Sequence, residues 1–284
     1  MGKIGIIVDA NSGIDYIKHD TDIRIIRSIL IMGKEEFTDY VDITAEAFYQ
    51  KLIDEPHITP STAQTATGVI LETYETLKKE GCDEILIITI SSKLSGTYEG
   101  AQMAANMIEG VKVTVFDSLS VSYPQAYMAL TAAKMAKAGK SMADILDTLV
   151  HIRENHGFLI SVDTLKYLVK NGRLSGASGF IGSLLKIKPL LHLARDGSIQ
   201  PLEKIRTRSK ALKRIVETFV EDHYKEDCEV IVAHAHAEED VELVKKNVLE
   251  RLPDLKAIKD YPLTPVVGAH AGPGTLAIGW VPKI

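Results

Sequence analysis

Short apolar runs alternate with longer stretches of helical spacing through the first half of the chain. The runs at residues 3–9, 84–90 and 111–116 are typical of buried strands, and each one closes on polar residues. Helical spacing follows over residues 45–54, 97–108, 124–138 and 141–155. A further helical stretch follows the loop at residues 56–65 and ends at Lys79. Because strands and helices alternate, we expect right-handed crossovers and a mainly parallel sheet flanked by helices.

The second half has a different pattern. Apolar segments at residues 187–193 and 199–205 flank Arg195-Asp196-Gly197, a strong hairpin signal. Further strands are predicted at residues 158–162, 229–233, 257–261 and 276–281, and helices at 165–169, 209–224 and 238–252. Consecutive hairpin strands indicate a mixed sheet. The sequence therefore predicts two α/β domains, residues 1–155 and 156–284.

Two shorter patterns lie between the first strands. Residues 23–32 are rich in β-formers, and Gly33-Lys34 leads into Phe37 as a hairpin turn would. This predicts an antiparallel excursion from the first sheet. Residues 56–65 are polar and interrupted by proline, which predicts a loop.

Composition narrows the functional classes. A net charge of −5 and a pI near 6.0 give no support for nucleic-acid binding. The two cysteines, Cys82 and Cys228, have no metal-ligand spacing and fit a reducing compartment. No apolar run approaches the ~20 residues of a spanning helix, and no signal peptide precedes the first strand. We therefore expect a soluble, cytoplasmic protein.

Polar loops follow the predicted parallel strands at Asp9, residues 91–97 and Asp117-Ser118. Since ligands bind beyond the carboxyl ends of such strands, the three loops should converge on one edge. Residues 91–97 (SSKLSGT) combine hydroxyls with free helix-start N–H groups, an arrangement suited to a phosphate or carboxylate or simply to capping the helix. The loop has neither a Walker motif nor a dinucleotide fingerprint.

Residues 266–274 (VVGAHAGPG) place one histidine, His270, among three glycines and a proline. This predicts a fixed turn with the imidazole at its apex, either holding a ligand or merely exposed. A serine hydrolase built on Asp117-Ser118 and His270 is disfavoured, because no Gly-x-Ser-x-Gly elbow occurs. His234 and His236 could suggest a metal, but no third ligand lies nearby in sequence.

Five segments together resemble the DegV family of bacterial lipid-binding proteins. They are residues 7–9 with Ser12, 60–65, 90–98, 163–175 and 268–274, and so extend from the first strand to the last turn. The Ser-Gly-Thr element and the Gly-x-His-x-Gly-Pro-Gly element, in this order and separation, are the motifs most specific to the family. Two departures concern the shape of loops near the expected ligand. Ala63 and Thr65 replace the usual serine and proline, and Asn171 replaces a glycine.

The resemblance implies two α/β domains with a long-chain fatty acid buried near their junction. It implies that Thr62, Ser95, the Gly96 N–H and His270 hold the carboxylate, and that Arg173 lies near the same pocket. It further implies a fatty-acid-binding subunit of a two-component fatty acid kinase, with an ATP-binding partner that phosphorylates the carboxylate. Arg206, or its neighbour Arg208, would face that partner. No catalytic residue, metal or cofactor is implied, and transient membrane contact is compatible with such a carrier.

The chemistry fits this expectation. A carboxylate in a largely apolar site needs hydrogen-bond donors, and two hydroxyls, one backbone N–H and an imidazole are such donors. Burial of about ten methylenes at ~0.8 kcal/mol each contributes roughly 8 kcal/mol before association costs. Two alternatives stay open: an enzyme that acts on a small carbonyl or phosphate compound through His270, and a lipid-sensing regulatory protein.

Overall fold

A computed structural model describes residues 2–176 and 187–284. Its first sheet contains four parallel strands in the order β2-β1-β6-β7. These strands are β1 (Ile4–Asp9), β2 (Ile23–Ile26), β6 (Glu84–Thr89) and β7 (Lys112–Asp117). The buried pattern of β1 and β6, apolar on both faces, requires helices on each side. The predicted parallel sheet is confirmed.

Two helices cover each face of this sheet. One pair is α2 (Thr67–Lys79) with α3 (Thr97–Ala105), and the other is α4 (Tyr123–Lys137) with α5 (Met142–Asn155). Ile7 and Ile87 pack toward the first pair, whereas Val8 and Ile88 pack toward the second. Successive residues thus point to opposite faces, as strand geometry dictates.

Residues 23–38 contribute to two sheets. β2 joins the parallel sheet, whereas β3 (Ile29–Met32) and β4 (Glu35–Thr38) form the predicted hairpin in a separate three-stranded sheet, ordered β4-β3-β5. The predicted excursion therefore begins after β2 and not at residue 23. The third strand, β5 (Ser61–Ala63), pairs antiparallel with β3, so the prediction of a loop throughout residues 56–65 was wrong. Three residues are too few to show strand periodicity.

The predicted mixed sheet in the second half is confirmed. Its order is β10-β9-β8-β13-β11-β12, and only the β11–β12 pair is parallel. The strands are β8 (Gly157–Ser161), β9 (Leu190–Leu193), β10 (Ile199–Glu203), β11 (Cys228–His234), β12 (Lys259–Pro262) and β13 (Leu276–Pro282). The α-helices of this half, among the residues that the structure describes, are α6 (Lys166–Lys170), α7 (Arg208–Thr218), α8 (Glu238–Arg251) and α9 (Pro265–Ala271). A π-helical turn, Phe219–His223, continues α7.

The two faces of the mixed sheet have different neighbours. Leu159 and Ile278 face α7 and α8 in one core cluster. Phe158, Ile160 and Ala277 face a second cluster that also contains residues of the first half, including those of α1 (Ala45–Asp54). The two halves of the chain therefore share one apolar core. The division into two domains at residues 155 and 156 stays a prediction.

One of the sequence expectations concerned membranes. Within residues 2–176 and 187–284, no helix has both the length and the apolar character needed to span a bilayer.

Candidate functional site

A cavity of about 200 Å³ lies in the core shared by the two halves of the chain. We call it the central cavity. Its apolar walls come from both halves and include Ile90, Val121, Phe158, Ile160, Val162 and Ala277. Its polar lining residues include Thr62, Gln64, Ser95, Gly96, Arg173 and His270. All four residues expected to hold a carboxylate thus line one cavity, together with Arg173.

His270 lies in the last turn of α9, so the expectation of a turn with histidine at its apex was wrong. The Thr264 side chain accepts a hydrogen bond from Val267 N and caps the helix, and Pro265 occupies its first turn. Both are ordinary helix-start signals that the glycine-rich pattern obscured. The helix ends at Gly272, whose φ of 81° favours glycine.

Thr62 meets His270 across this cavity. Oγ1 of Thr62 lies 2.8 Å from Nε2 of His270. β5 positions Thr62, because its register places Thr62 opposite Leu30 of the buried strand β3. The threonine hydroxyl and the neutral imidazole each have one polar proton, and the hydrogen bond between them uses only one of the two. One donor of the pair therefore stays free for a ligand oxygen.

The imidazole of His270 is neutral near pH 7. Burial, and after it the positive charge of Arg173, lower its pKa from the ordinary 6.5 to about 4. Its Nδ1 atom is buried without a hydrogen-bond partner among the described residues. A buried nitrogen of this kind favours a ligand that supplies the missing partner.

The 91–97 loop brings the hydroxyl of Ser95 to the same cavity. Oγ of Ser95 lies 2.8 Å from Oγ1 of Thr97 and accepts a hydrogen bond from Thr97 N. Gly96 lies against the side chain of Gln64, whose Oε1 would be 2.2 Å from a Cβ atom at position 96. Only glycine allows this approach. Gln64 also lines the cavity, but nothing in the sequence around it predicted that its side chain would contact Gly96.

Arg173 borders the cavity through backbone contacts. Its Nε donates to Leu94 O at 3.0 Å, and its Nη1 donates to Asn171 O. The Nδ2 of Asn171 in turn donates to Pro60 O and Ala269 O, at 3.2 and 3.1 Å. Asn171 therefore joins the segment before β5 to α9. A glycine at this position would have no side chain to make these bonds.

Arg206 lies apart from this group. It is exposed, and it is not among the described residues that line the central cavity. Its neighbour Arg208 donates from Nε and Nη2 to Asp240 Oδ2, at 2.8 and 2.6 Å. Of the two arginines, Arg206 thus has the side chain left available at the surface.

The three polar loops at the carboxyl ends of β1, β6 and β7 converge as predicted. Ile90 N donates to Oδ2 of Asp9 at 2.6 Å, and Ser92 N donates to Oδ1 of Asp117 at 3.2 Å. Ser118 donates to Ser120 O, is fully buried, and does not line the cavity with His270. The geometry of a serine nucleophile activated by His270 is not formed here.

His234 and His236 lie in another part of the fold, at the end of β11 and just beyond it. In the portion of the chain that the structure describes, no three His, Cys, Asp or Glu residues are grouped so that they could hold a metal ion. A metal role for the His-Ala-His segment gains no support from this arrangement.

Sequence comparison extends over nearly the whole chain. The family model described as "Uncharacterised protein, DegV family" matches residues 3–283. A DegV domain-containing protein of Halalkalibacterium halodurans is 34% identical over 282 residues, covering 99% of each chain. One from Staphylococcus aureus is 35% identical over 286 residues, covering 98% of this chain and 97% of the relative.

Comparison with solved structures also finds proteins of the DegV family. The chain resembles DegV, a fatty acid binding protein from Bacillus subtilis, with a TM-score of 0.87, 32% identity and full coverage of both chains. It also resembles a fatty acid binding DegV family protein from Streptococcus agalactiae, with a TM-score of 0.91, 26% identity and full coverage of both. A fatty-acid-binding DegV family protein from Thermus thermophilus has a TM-score of 0.86 and 27% identity, with 99% of each chain covered.

Proposed function

This chain belongs to the DegV family, and from that premise we propose that it binds a long-chain fatty acid in the central cavity. The observation that carries the proposal is the composition of the cavity wall. Polar groups from distant parts of the sequence, joined by the Thr62–His270 contact, adjoin an otherwise apolar enclosure. A molecule with one polar end and a long apolar body matches such a lining.

The carboxylate would be held by Thr62, Ser95, the N–H of Gly96 and His270. Charge supports this placement, because Arg173 is the only ionised side chain among the described lining residues. Its positive charge favours an anion near His270. The neutral imidazole acts in this scheme as a hydrogen-bond partner, and not as a base or nucleophile.

The acyl chain would lie against residues of both halves of the protein. Phe158 and Ile160 of β8 point into the shared core beside Ala277 of β13. Burial of each methylene contributes about 0.8 kcal/mol, so the tail supplies most of the affinity. The polar group then fixes which end of the ligand lies near Arg173. Such a division suits a carrier that presents one end of its ligand.

We further propose that the bound acid is presented to an ATP-binding kinase partner, which phosphorylates it to an acyl phosphate. The protein itself would have no catalytic residue, metal or cofactor. Arg206 supports this part of the proposal, because an exposed arginine without an ion pair among the described residues suits contact with a partner or with phosphate. We place the carrier in the cytoplasm, with transient membrane contact to collect its ligand.

Organic extraction and mass spectrometry test the binding proposal. Protein purified without detergent should release about one fatty acid per chain. A Ser95→Ala variant should retain less, because it removes one hydroxyl from the carboxylate site. Ser92→Ala provides the matched control, since Ser92 lies in the same loop but does not line the cavity. An empty extract together with no uptake of added oleate would overturn the proposal.

The partner proposal has a separate test. Loaded protein is mixed with ATP and the ATP-binding subunit of a fatty acid kinase, and acyl phosphate is measured. Arg206→Ala should reduce product formation while the amount of bound fatty acid stays unchanged. If loaded protein yields no acyl phosphate with such a subunit, transfer to a kinase is wrong although fatty-acid binding stands.

A further inference from the structure

A second cavity, of about 350 Å³, lies between the amino-terminal half and the carboxyl end of β11. None of the described residues lines both this cavity and the central cavity. Three tyrosines, two histidines and two glutamates dominate its wall, and we call it the tyrosine–histidine pocket. These residues are Tyr16, Tyr40, Tyr49, His234, His236, Glu46 and Glu238. None of them lines the proposed fatty-acid site.

His234 has an unmet hydrogen bond in this pocket. Only 8% of the residue is exposed, and its Nδ1 has no partner among the described residues. Oε1 of Glu238 lies 3.9 Å from that nitrogen and also 3.9 Å from Nδ1 of His236. These separations exceed a hydrogen bond. A donor placed between the carboxylate and His234 could reach both atoms.

The formal charge of the pocket is negative. Among its described lining residues, Glu46 and Glu238 are the only carboxylates, and none is lysine or arginine. Burial lowers the pKa of His234, so this imidazole is neutral near pH 7 and can accept a hydrogen bond. Lys245 and Asp260, which also act on His234, form an ion pair of 2.6 Å and offset one another. The pocket therefore favours a cation.

The aromatic wall agrees with this preference. The rings of Tyr16 and Tyr40 meet edge to face at 5.1 Å. The guanidinium of Arg27 lies 5.7 Å from the Tyr40 ring centre, and its charge is offset by Asp15 at 2.8 Å. Tyrosine faces attract cations through their quadrupole. Tyr40 and His236 also have positive φ values of 66° and 53°, a strained state for residues with side chains. Such strain is concentrated at binding sites.

We propose that the tyrosine–histidine pocket binds a small primary ammonium compound. Its N–H groups would donate to Nδ1 of His234 and to the Glu238 carboxylate. Its carbon chain would lie against the tyrosine rings. A metal ion is the less suitable occupant, because the described part of the chain holds no group of three ligands placed for one. The site is independent of the fatty acid, so failure here leaves the central cavity proposal intact.

Histidine-detected NMR on the full-length protein tests the proposal, with n-butylammonium as the probe and butyrate as its anionic counterpart. We expect n-butylammonium to shift the ring signals of His234 and His236 in a saturable manner. The exposed His151 on α5 should not respond. Tetramethylammonium, which lacks N–H donors, should bind about tenfold more weakly than n-butylammonium.

Substitutions at the exposed carboxylates separate binding from folding. A double variant that combines Glu46→Gln and Glu238→Gln should bind n-butylammonium about tenfold or more weakly than the parent protein. Glu239→Gln is the matched control, because Glu239 lies beside Glu238 in the first turn of α8 but does not line the pocket. Equal shifts with butyrate, shifts that never saturate, or equal affinity in the double variant would each overturn the proposal.

Discussion

Oγ1 of Thr62 lies 2.8 Å from Nε2 of His270, although the two residues are 208 positions apart. Thr62 belongs to the three-residue strand β5, and His270 belongs to the seven-residue helix α9. Neither element is long enough to fix its own position. Asn171 joins the two regions, because its amide donates to Pro60 O and to Ala269 O. The polar group of the central cavity is therefore assembled by tertiary contacts.

The first prediction concerns this pair. Thr62→Val and His270→Gln should each weaken the binding of a fluorescent long-chain fatty acid about three- to tenfold, because each removes one donor or acceptor. The double variant should lose less than the product of the two losses, since the residues act together. His151→Gln, on the surface of α5, should bind normally. Strictly multiplicative losses would show that the pair does not act as a unit.

The second prediction concerns the approach of Gln64 to Gly96. An alanine at position 96 would place its Cβ 2.2 Å from Oε1 of Gln64. Gly96→Ala should therefore displace the Gln64 amide, which ends a flexible and exposed side chain, and lower the free energy of unfolding by at most about 1 kcal/mol. Adding Gln64→Ala should restore most of that loss in urea denaturation. If the double variant is no more stable than Gly96→Ala alone, the contact does not limit residue 96.

Most elements were predictable from the sequence, but two short ones were not. The strand at Glu84–Thr89 and the capped helix at Ala45–Asp54 follow from local pattern and from Thr44, whose side chain accepts from Ala47 N. β5 was missed because its pairing with β3 is decided by a distant segment. α9 was missed because glycines concealed a Thr-Pro helix start that the sequence did contain.

The site was predictable only in part. The residues expected to hold a carboxylate came from a family resemblance, and the structure places them on one cavity. Gln64 and Asn171 were not expected to contribute, because amides in loops carry no signal of what they will contact. Their roles depend on the positions of Gly96, Pro60 and Ala269, which no local pattern specifies.

The third prediction concerns pH. Burial keeps the pKa of His270 at about 4, whereas an unfolded histidine titrates near 6.5. Between these values the unfolded chain binds the extra proton, so His270 makes folding less favourable as the pH falls from about 6.5 to about 4. Its contribution to the loss should reach about 3 kcal/mol by pH 4 and be absent above pH 7.

Urea denaturation at pH 4.5 and pH 7.5 measures this effect. Other buried histidines such as His156 also have lowered pKa values, so the comparison is made between the parent protein and His270→Gln. The variant should lose less stability on acidification than the parent. Equal losses in the two proteins would mean that His270 can accept a proton without disturbing the fold.

The last prediction concerns the packing of α9 against α1. A Cβ atom at Gly268 would lie 2.2 Å from Oη and 2.7 Å from Cζ of Tyr49. Tyr49 is buried and its hydroxyl donates to Leu263 O at 3.0 Å, so a shift of its ring would break this hydrogen bond. Gly268→Ala should therefore destabilise the protein by about 1–3 kcal/mol, although alanine favours helices. Because the shift would move His270, fatty-acid affinity should fall as well.

Gly68 in α2 provides the matched control, because no heavy atom lies within 4 Å of a Cβ placed there. Gly68→Ala should raise the free energy of unfolding by about 0.5 kcal/mol and leave fatty-acid binding unchanged. The contrast between two glycine-to-alanine changes in helices separates helix propensity from contact with Tyr49. If both variants gain stability, Tyr49 yields to the new methyl group, and α9 is held less firmly than its contacts indicate.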